Sequence, residues 1–313
     1  MTKQLKVLIV FSGNIQGGNP FTKEQAQSLK NEGVEIDFFL IKKKGILGYL
    51  KSLPALKKKI KSFAPDIVHA HHGFSGVLAV LQRKVPVVVT FHGNDINYKK
   101  EQIIAIFANL FAKWRIFVSK SLFKNSLIKF KNSSIIPCGI DLKIFFPIEK
   151  NHARTLLKLD PNKKYALFSS AFSRRVKNYP LAKKVLSNFK DVELIELKDK
   201  TRNEVNLFLN AVDFLILTSF NEGSPQIIKE AMACNCPIIA TDIADIKKVI
   251  KNTEGCFVTS FNQTEIIKAI TSILQYNKKT NGRENIKEFD LQLIAKRILN
   301  VYNKVLNKNE NIN

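Results

Sequence analysis

Glu222 and Glu230, with seven residues between them, bracket the turn Asn221-Glu222-Gly223-Ser224 and a proline-led helix start, Pro225-Gln226. Free N–H groups at a helix start attract an anion such as a phosphate. A carboxylate beside that anion is a poor phosphate ligand but a good acceptor for sugar hydroxyls. The pair therefore points to a ligand with both features, a nucleotide sugar. A capped helix with two solvated acids is the alternative. Cations follow a second apolar run, Tyr165–Ser170: Arg174, Arg175 and Lys177. Arginine forks onto phosphate oxygens and lysine adds a point charge, so this loop suits a diphosphate.

These residues need a frame that delivers them to one place. Val212–Leu217 is a continuous apolar run, as expected for a parallel strand buried on both faces. Ser224 reads as the N-cap and Pro225 as the first helical residue. Ile227, Ile228, Ala231 and Met232 form an apolar helical face, Asn235-Cys236-Pro237 ends the helix, and Pro237–Ala240 starts the next strand. The helix start then lies at the carboxyl end of a strand, where doubly wound sheets bind ligands.

The first half repeats the pattern. Lys6–Phe11 reads as a buried strand, followed by a glycine-rich loop with Gly17 and Gly18 and a helix from about Phe21 to Asn31. The glycines let backbone approach a ligand closely; their spacing does not fit a dinucleotide fingerprint. Pro86–Phe91 is a further strand, ending in His92-Gly93-Asn94-Asp95, a polar cluster where chemistry would sit. His69 and His71 share one strand face, so a metal pair is conceivable, but nothing nearby in sequence supplies a third ligand.

The segment EGSPQIIKEAMACNCPIIATD resembles the E-x7-E signature of glycosyltransferase family 4. Ser134–Asp141 (SIIPCGID) is similar to the family's IPNGVD motif, with Cys138 in place of the usual Asn; Gly139 is expected to take a backbone shape open mainly to glycine. The resemblance covers nearly the whole chain. It implies the α/β GT-B fold: two Rossmann-like doubly wound parallel-sheet domains facing across a cleft. It further implies that Glu230 holds the nucleotide ribose and that Glu222 and His92 touch the transferred sugar. Arg174 and Lys177 stabilise the departing diphosphate, the choice between Arg174 and Arg175 staying open because the loop is shorter than the family's. Gly223, Ser224, Pro225, Gln226, Arg175, Gly17 and Gly18 lie on the donor side, and Asn94, Asp95 and Ser119 on the acceptor side. No metal or other cofactor is expected beyond the nucleotide-sugar donor substrate.

Length and charge complete the reading. The 313 residues suit two domains. The expected first domain is 1–148, with a C-terminal helix, 289–308, packing back on it; the second, donor-binding domain is 149–288. The formal net charge is +24. Residues 1–150 hold 24 Lys/Arg against 9 Asp/Glu. Such a field favours polyanions or anionic surfaces. Lys42–Lys61 carries eight lysines and no acid among Ile46, Leu47, Tyr49, Leu50, Leu53, Leu56 and Ile60, as a membrane-surface helix does. Phe111–Lys131, with Trp114, Phe117, Phe123 and Phe130, is expected on the same face. No apolar window reaches a membrane span and no signal peptide is evident. The four cysteines lack zinc or redox spacing. A cytoplasmic enzyme on the inner face of the membrane is expected. It would move a hexosyl unit, with retention, from a UDP- or GDP-linked donor to a lipid-linked or surface glycan. A nucleotide-sugar epimerase of the same fold and a non-catalytic polyanion- or membrane-binding scaffold are the rivals. Nucleic acid is not the expected partner, because it would leave both glutamates unexplained.

Overall fold

The apolar runs form two separate parallel sheets. The computed structural model describes residues 4–13 and 20–306; the expected donor residues Gly17 and Gly18 lie outside them. The chain divides into two units, Met1–Gly139 with Leu291–Asn313, and Ile140–Asp290.

In the first unit the strands are β1 (Lys6–Ser12), β2 (Glu35–Ile41), β3 (Ile67–His71), β4 (Val87–Phe91), β5 (Trp114–Phe117) and β6 (Ser133–Ile135). They lie in the order β2-β1-β3-β4-β5-β6, all parallel. The helices are α1 (Pro20–Asn31), α2 (Gly45–Leu50), α3 (Leu53–Phe63), α4 (Gly73–Val80), α5 (Asn94–Asn97), α6 (Lys99–Phe111) and α7 (Lys120–Asn125). Side chains alternate across the sheet with period two. Leu8, Val10, Val68 and Ala70 pack against Leu56 and Ile60 of α3, Leu78 of α4 and Ala105 of α6. Val7, Ile9 and Ile67 pack with Leu29 of α1 and with Ile294, Ile298 and Tyr302 of the C-terminal helix, Leu291–Val305. Both faces are dry, which is why the strands carry no polar alternation.

Two glycines let α4 approach α6. A Cβ on Gly76 would stand 2.8 Å from Ala108 Cβ and 2.9 Å from Val89 Cγ1. Gly76→Ala is therefore expected to lower stability by about 1–3 kcal/mol, read as a fall in the thermal midpoint.

The second unit holds β7 (Lys164–Phe168), β8 (Val192–Glu196), β9 (Phe214–Leu217), β10 (Ile238–Thr241) and β11 (Cys256–Thr259), in the parallel order β11-β10-β9-β7-β8. Its helices are α8 (Lys150–Leu157), α9 (Tyr179–Leu186), α10 (Arg202–Ala211), α11 (Gln226–Ala233), α12 (Ile246–Ile250), α13 (Gln263–Tyr276) and α14 (Gly282–Asn285); the C-terminal helix is α15. One face carries α10, α11 and α12, the other α9 and α13. In each sheet the winding reverses once, between β1 and β3 and between β7 and β9. Loops after those strands open at the switch points.

Four expectations are corrected. The boundary expected at 148 falls at Gly139, because Ile140 donates its N–H to Phe289 (2.9 Å) and Phe145 is buried in the second unit's core. Gly139 is not among the positive-φ residues; glycine is needed there because a Cβ would lie 2.9 Å from Leu291 Cα. Lys42–Lys61 is two helices, not one. Leu56 and Ile60 of α3 face the core, while Ile46, Leu47 and Leu50 of α2 face outward, Leu47 72% exposed. Phe117 is fully buried, so Phe111–Lys131 does not form an exposed apolar face. The exposed stripe lies one helix earlier, on α6, where Ile103, Phe107, Leu110 and Phe111 follow helical spacing. Among the described residues no helix is long and apolar enough to cross a membrane.

Candidate functional site

In the second unit the loops after β7 and β9 are bound together at the switch point. Phe220 donates its N–H to Val176 (2.9 Å), and Thr218 Oγ1 donates to the carbonyls of Lys177 and Asn178 at 3.0 Å each. That junction buries Lys177 and sets its ammonium on Glu222 Oε1. The same carboxylate oxygen accepts from Ser219 Oγ at 2.8 Å. Lys177 and Glu222, assigned to opposite sides of the ligand in the sequence, thus meet directly. Arg174 and Arg175 are both exposed on the same loop, and Arg174 Nη1 lies 3.4 Å from Ser170 Oγ.

Helix α11 starts at Gln226, with Pro225 as its cap and no side-chain capping bond. The expected Ser224 cap is corrected: Ser224 Oγ accepts from Lys229 Nζ at 2.8 Å and lies 3.5 Å from Asp245 Oδ2. Lys229 is fully buried within the helix, also donates to Gln226 Oε1 at 3.0 Å, and stands 5.3 Å from the Phe289 ring centre. A buried ammonium draws the hydroxyl off the helix N–H groups because a charge-assisted bond outweighs a neutral one. Burial pushes the Asp245 carboxyl above its usual range, against the pull of Lys229.

Glu230 is 2% exposed and its Oε1 accepts from Arg202 Nη1 at 2.6 Å. The Arg202 guanidinium lies 4.5 Å from the Phe145 ring centre. Any hydroxyl reaching Glu230 must share the carboxylate with Arg202 or displace it. Arg202, Lys229, Ser219 and Asp245 were not singled out from the sequence. Lys229 could have been: it interrupts a helix otherwise apolar or small on nearly every side, and such a helix is buried all round. Arg202 sits inside the capping box of Thr201 and Glu204, as the first residue of α10, and the geometry contains that box in full. Its link to Glu230 is purely tertiary.

In the first unit, three imidazoles gather at the ends of β3 and β4. His69 and His71 stack with ring centres 4.6 Å apart, and His71 and His92 at 5.2 Å. His69 is held between the Tyr302 hydroxyl (2.6 Å) and Thr90 Oγ1 (2.7 Å). His71 Nδ1 meets His92 Nε2 at 3.0 Å, and His92 Nδ1 lies 3.8 Å from Cys138 Sγ. Burial drives His69 and His92 down to about 3 and His71 well below the ordinary imidazole range, so all three are neutral at pH 7. His92 joins His69 and His71 as a third imidazole, but among the described residues no group of three such side chains is arranged to hold a metal ion.

Asp95 is buried and accepts N–H bonds from Gly73 (3.0 Å), His92 (3.1 Å) and Gly93 (2.8 Å). It fixes the turn that carries His92. Ser119 is also buried, and its hydroxyl caps α7 by accepting from Leu122 N. Of the expected acceptor-side residues, Asn94 is exposed.

Residues 15–144 match the family model described as Glycosyltransferase Family 4, and residues 161–276 the one described as Glycosyl transferases group 1. The chain is 26% identical to the UDP-Gal:alpha-D-GlcNAc-diphosphoundecaprenol alpha-1,3-galactosyltransferase of Escherichia coli, over 77% of each chain. It is 23% identical to the N,N'-diacetylbacillosaminyl-diphospho-undecaprenol alpha-1,3-N-acetylgalactosaminyltransferase of Campylobacter jejuni, over 90% of this chain and 89% of that one. A Bacillus subtilis glycosyltransferase named for teichuronic acid biosynthesis, TuaC, is 23% identical over 68% of this chain, which spans 62% of its length. Sucrose-phosphate synthase from Thermosynechococcus elongatus shares the fold, with a TM-score of 0.80 at 16% identity over 98% of this chain and 100% of that one.

Proposed function

The chain belongs to the GT-B glycosyltransferases of family 4, group 1, and from that premise we propose that it moves a hexosyl unit, with retention, from a nucleotide diphosphate sugar to a lipid-linked glycan. The observation that carries this reading is the Lys177–Glu222–Ser219 cluster, in which Lys177 and Ser219 are buried and Glu222 is partly so, at the switch point of the second sheet. Breaking the anomeric bond leaves negative charge on a nucleoside diphosphate. Lys177, with Arg174 or Arg175, would meet that charge, aided by the N–H groups at the start of α11; such preorganised cations and dipoles need no rearrangement during the reaction. When the donor binds, before the reaction begins, Lys177 turns from Glu222 to phosphate, and Glu222 is released to accept sugar hydroxyls and hold the oxocarbenium-like ring. Glu230 would take the ribose, sharing its carboxylate with Arg202. Retention follows if the acceptor attacks on the face the leaving group departs from, a phosphate oxygen taking the proton.

The lipid-linked acceptor is supported by the E. coli and C. jejuni relatives, both named for diphospho-undecaprenol substrates. It is supported equally by the surface of the first unit. Helices α2 and α6 flank α4, and together expose Leu47, Ile103, Leu110 and Phe111 beside Lys42, Lys43, Lys44, Lys51, Lys99 and Lys100. Apolar side chains among lysines suit an anionic leaflet, each lysine near it contributing about 1 kcal/mol. On this reading the chain works at the inner face of the membrane. The Leu47→Ser, Phe111→Ser double variant is expected to sediment far less with phosphatidylglycerol vesicles than the parent, and equal sedimentation would remove the membrane from the account.

The activity itself is tested by incubating UDP- and GDP-linked sugars with undecaprenyl-diphosphate-linked sugars and reading the anomeric configuration of any product by NMR. Transfer with retention is expected. Turnover of donor to an epimer without acceptor would instead support the epimerase.

A further inference from the structure

Lys229 occupies a position that packing alone would give to an apolar residue. Ile228, Ala231 and Met232 beside it on α11 are fully buried, and so is Lys229. Lysine is almost never fully buried unless its charge is engaged. Here the ammonium donates to Ser224 Oγ at 2.8 Å and to Gln226 Oε1 at 3.0 Å, with the Phe289 ring centre 5.3 Å away. Ser224 Oγ lies 3.5 Å from Asp245 Oδ2 in turn, and Lys229 draws the Asp245 carboxyl toward its charged form. One buried cation thus joins the loop after β9, the first turn of α11 and the loop after β10.

The consequence falls on the backbone. A serine directly before a proline-led first turn is a natural N-cap, its hydroxyl accepting from the second or third N–H of the helix. Ser224 and Gln226 are the polar side chains at this helix start, both are turned to Lys229, and α11 has no side-chain capping bond. Where α8, α10 and α13 begin, in the same unit, Glu149, Thr201 and Asn262 make such bonds. A helix start that its own side chains leave open keeps its first N–H groups for an outside acceptor.

We propose that Lys229 is a positioning residue for the donor: it holds Ser224 and Gln226 off the start of α11, so that the N–H groups there serve the diphosphate. The proposal rests on the glycosyl-transfer reading and deepens it, because it assigns part of the donor's fit to a side chain with no exposed surface of its own. The role differs from that of Lys177. A lysine that meets phosphate directly cannot be replaced by a second change elsewhere. A lysine that acts by keeping a hydroxyl away becomes dispensable once that hydroxyl is gone.

The test is therefore a rescue in the full chain. Lys229→Met puts an unbranched apolar side chain among the apolar neighbours already there. The freed Ser224 hydroxyl is expected to accept from the N–H of Gln226 or Ile227. Whichever UDP- or GDP-linked sugar the parent binds should then bind about tenfold more weakly by calorimetry, as for the loss of one hydrogen bond to a charged group. In the Lys229→Met, Ser224→Ala double variant nothing can recap the helix, and most of the affinity should return. Amide exchange at Gln226 and Ile227, followed by NMR without donor, reads the cap itself: slower than the parent in the single variant and fast again in the double. A lysine that only supported the fold would give a double variant that binds no better than the single, and that result, or exchange that stays slow, overturns the proposal. Should Lys229→Met not fold, the parent carries the test, since its Gln226 and Ile227 amide signals must shift when the donor is added, and unshifted signals overturn the proposal equally. A folded parent that binds no donor removes the transfer reading and this role with it. A parent that binds donor, with no rescue by Ser224→Ala, removes the role of Lys229 alone and leaves glycosyl transfer standing.

Discussion

Lys177→Met is expected to lower kcat/KM for transfer by about 10³-fold, about 4 kcal/mol of transition-state stabilisation. The effect should fall on kcat as well as on donor KM, because the negative charge on the diphosphate grows as the anomeric bond breaks. The same change strips Glu222 of the cation it meets in the folded chain. Removing one member of a buried ion pair costs about 3–5 kcal/mol of stability, so lost activity alone would be ambiguous. The Lys177→Met, Glu222→Gln double variant separates the two effects. With no uncompensated carboxylate it should recover most of the thermal midpoint while remaining inactive. A double variant that regains both would make the cluster structural.

The second large effect is acid lability of the first unit. His69, His71 and His92 are held neutral by burial, with folded values of about 3 for His69 and His92 and well below 6.5 for His71. Unfolded, each titrates near 6.5. Between those values the unfolded chain binds protons that the folded chain refuses, so stability rises with pH across the window and is lost as pH falls. Each imidazole contributes a slope of about 1.4 kcal/mol per pH unit, about 4 for the three together. The carboxylates held below their usual range, Asp37, Glu149, Glu204 and Glu265, add their own losses only below about 4.5. Denaturant titrations should therefore report a proton uptake on unfolding that rises from about one and a half at pH 6.5 to about three near pH 4.5, and a slope near zero would show the imidazoles already charged in the folded state.

Much of this architecture was legible because it rests on local signals. Apolar runs such as Val7–Val10 and Phe214–Leu217 have no polar alternation, and at about four to six residues between turn signals they suit strands buried on both faces. The E-x7-E segment carried its own turn and helix, so Glu222, Glu230 and the α11 start could be placed without a partner. The misplacements come from competition between side chains. Ser224 has every local property of an N-cap, yet Lys229 five residues later takes its hydroxyl. The turn motif around Asp95 gave no sign that its carboxylate accepts three backbone N–H bonds, one of them from Gly73, 22 residues away. Arg202 joins Glu230 from the start of another helix, α10, and the His71–His92 bond joins residues 21 apart at the ends of two strands. Neither leaves a trace in spacing. Phe117 looked like a surface aromatic in a basic stretch; its place on β5, between Phe91 and Phe123, buries it.

The claim at the centre of the account is that the second unit binds a nucleotide sugar through Lys177 and Glu230. Calorimetry of the full chain against a panel of UDP- and GDP-linked sugars, with Lys177→Ala and Glu230→Ala alongside, tests it most directly. One donor binding the parent, with affinity lost in both folded variants, is the predicted result. A parent that is folded and binds no donor in the panel would contradict it.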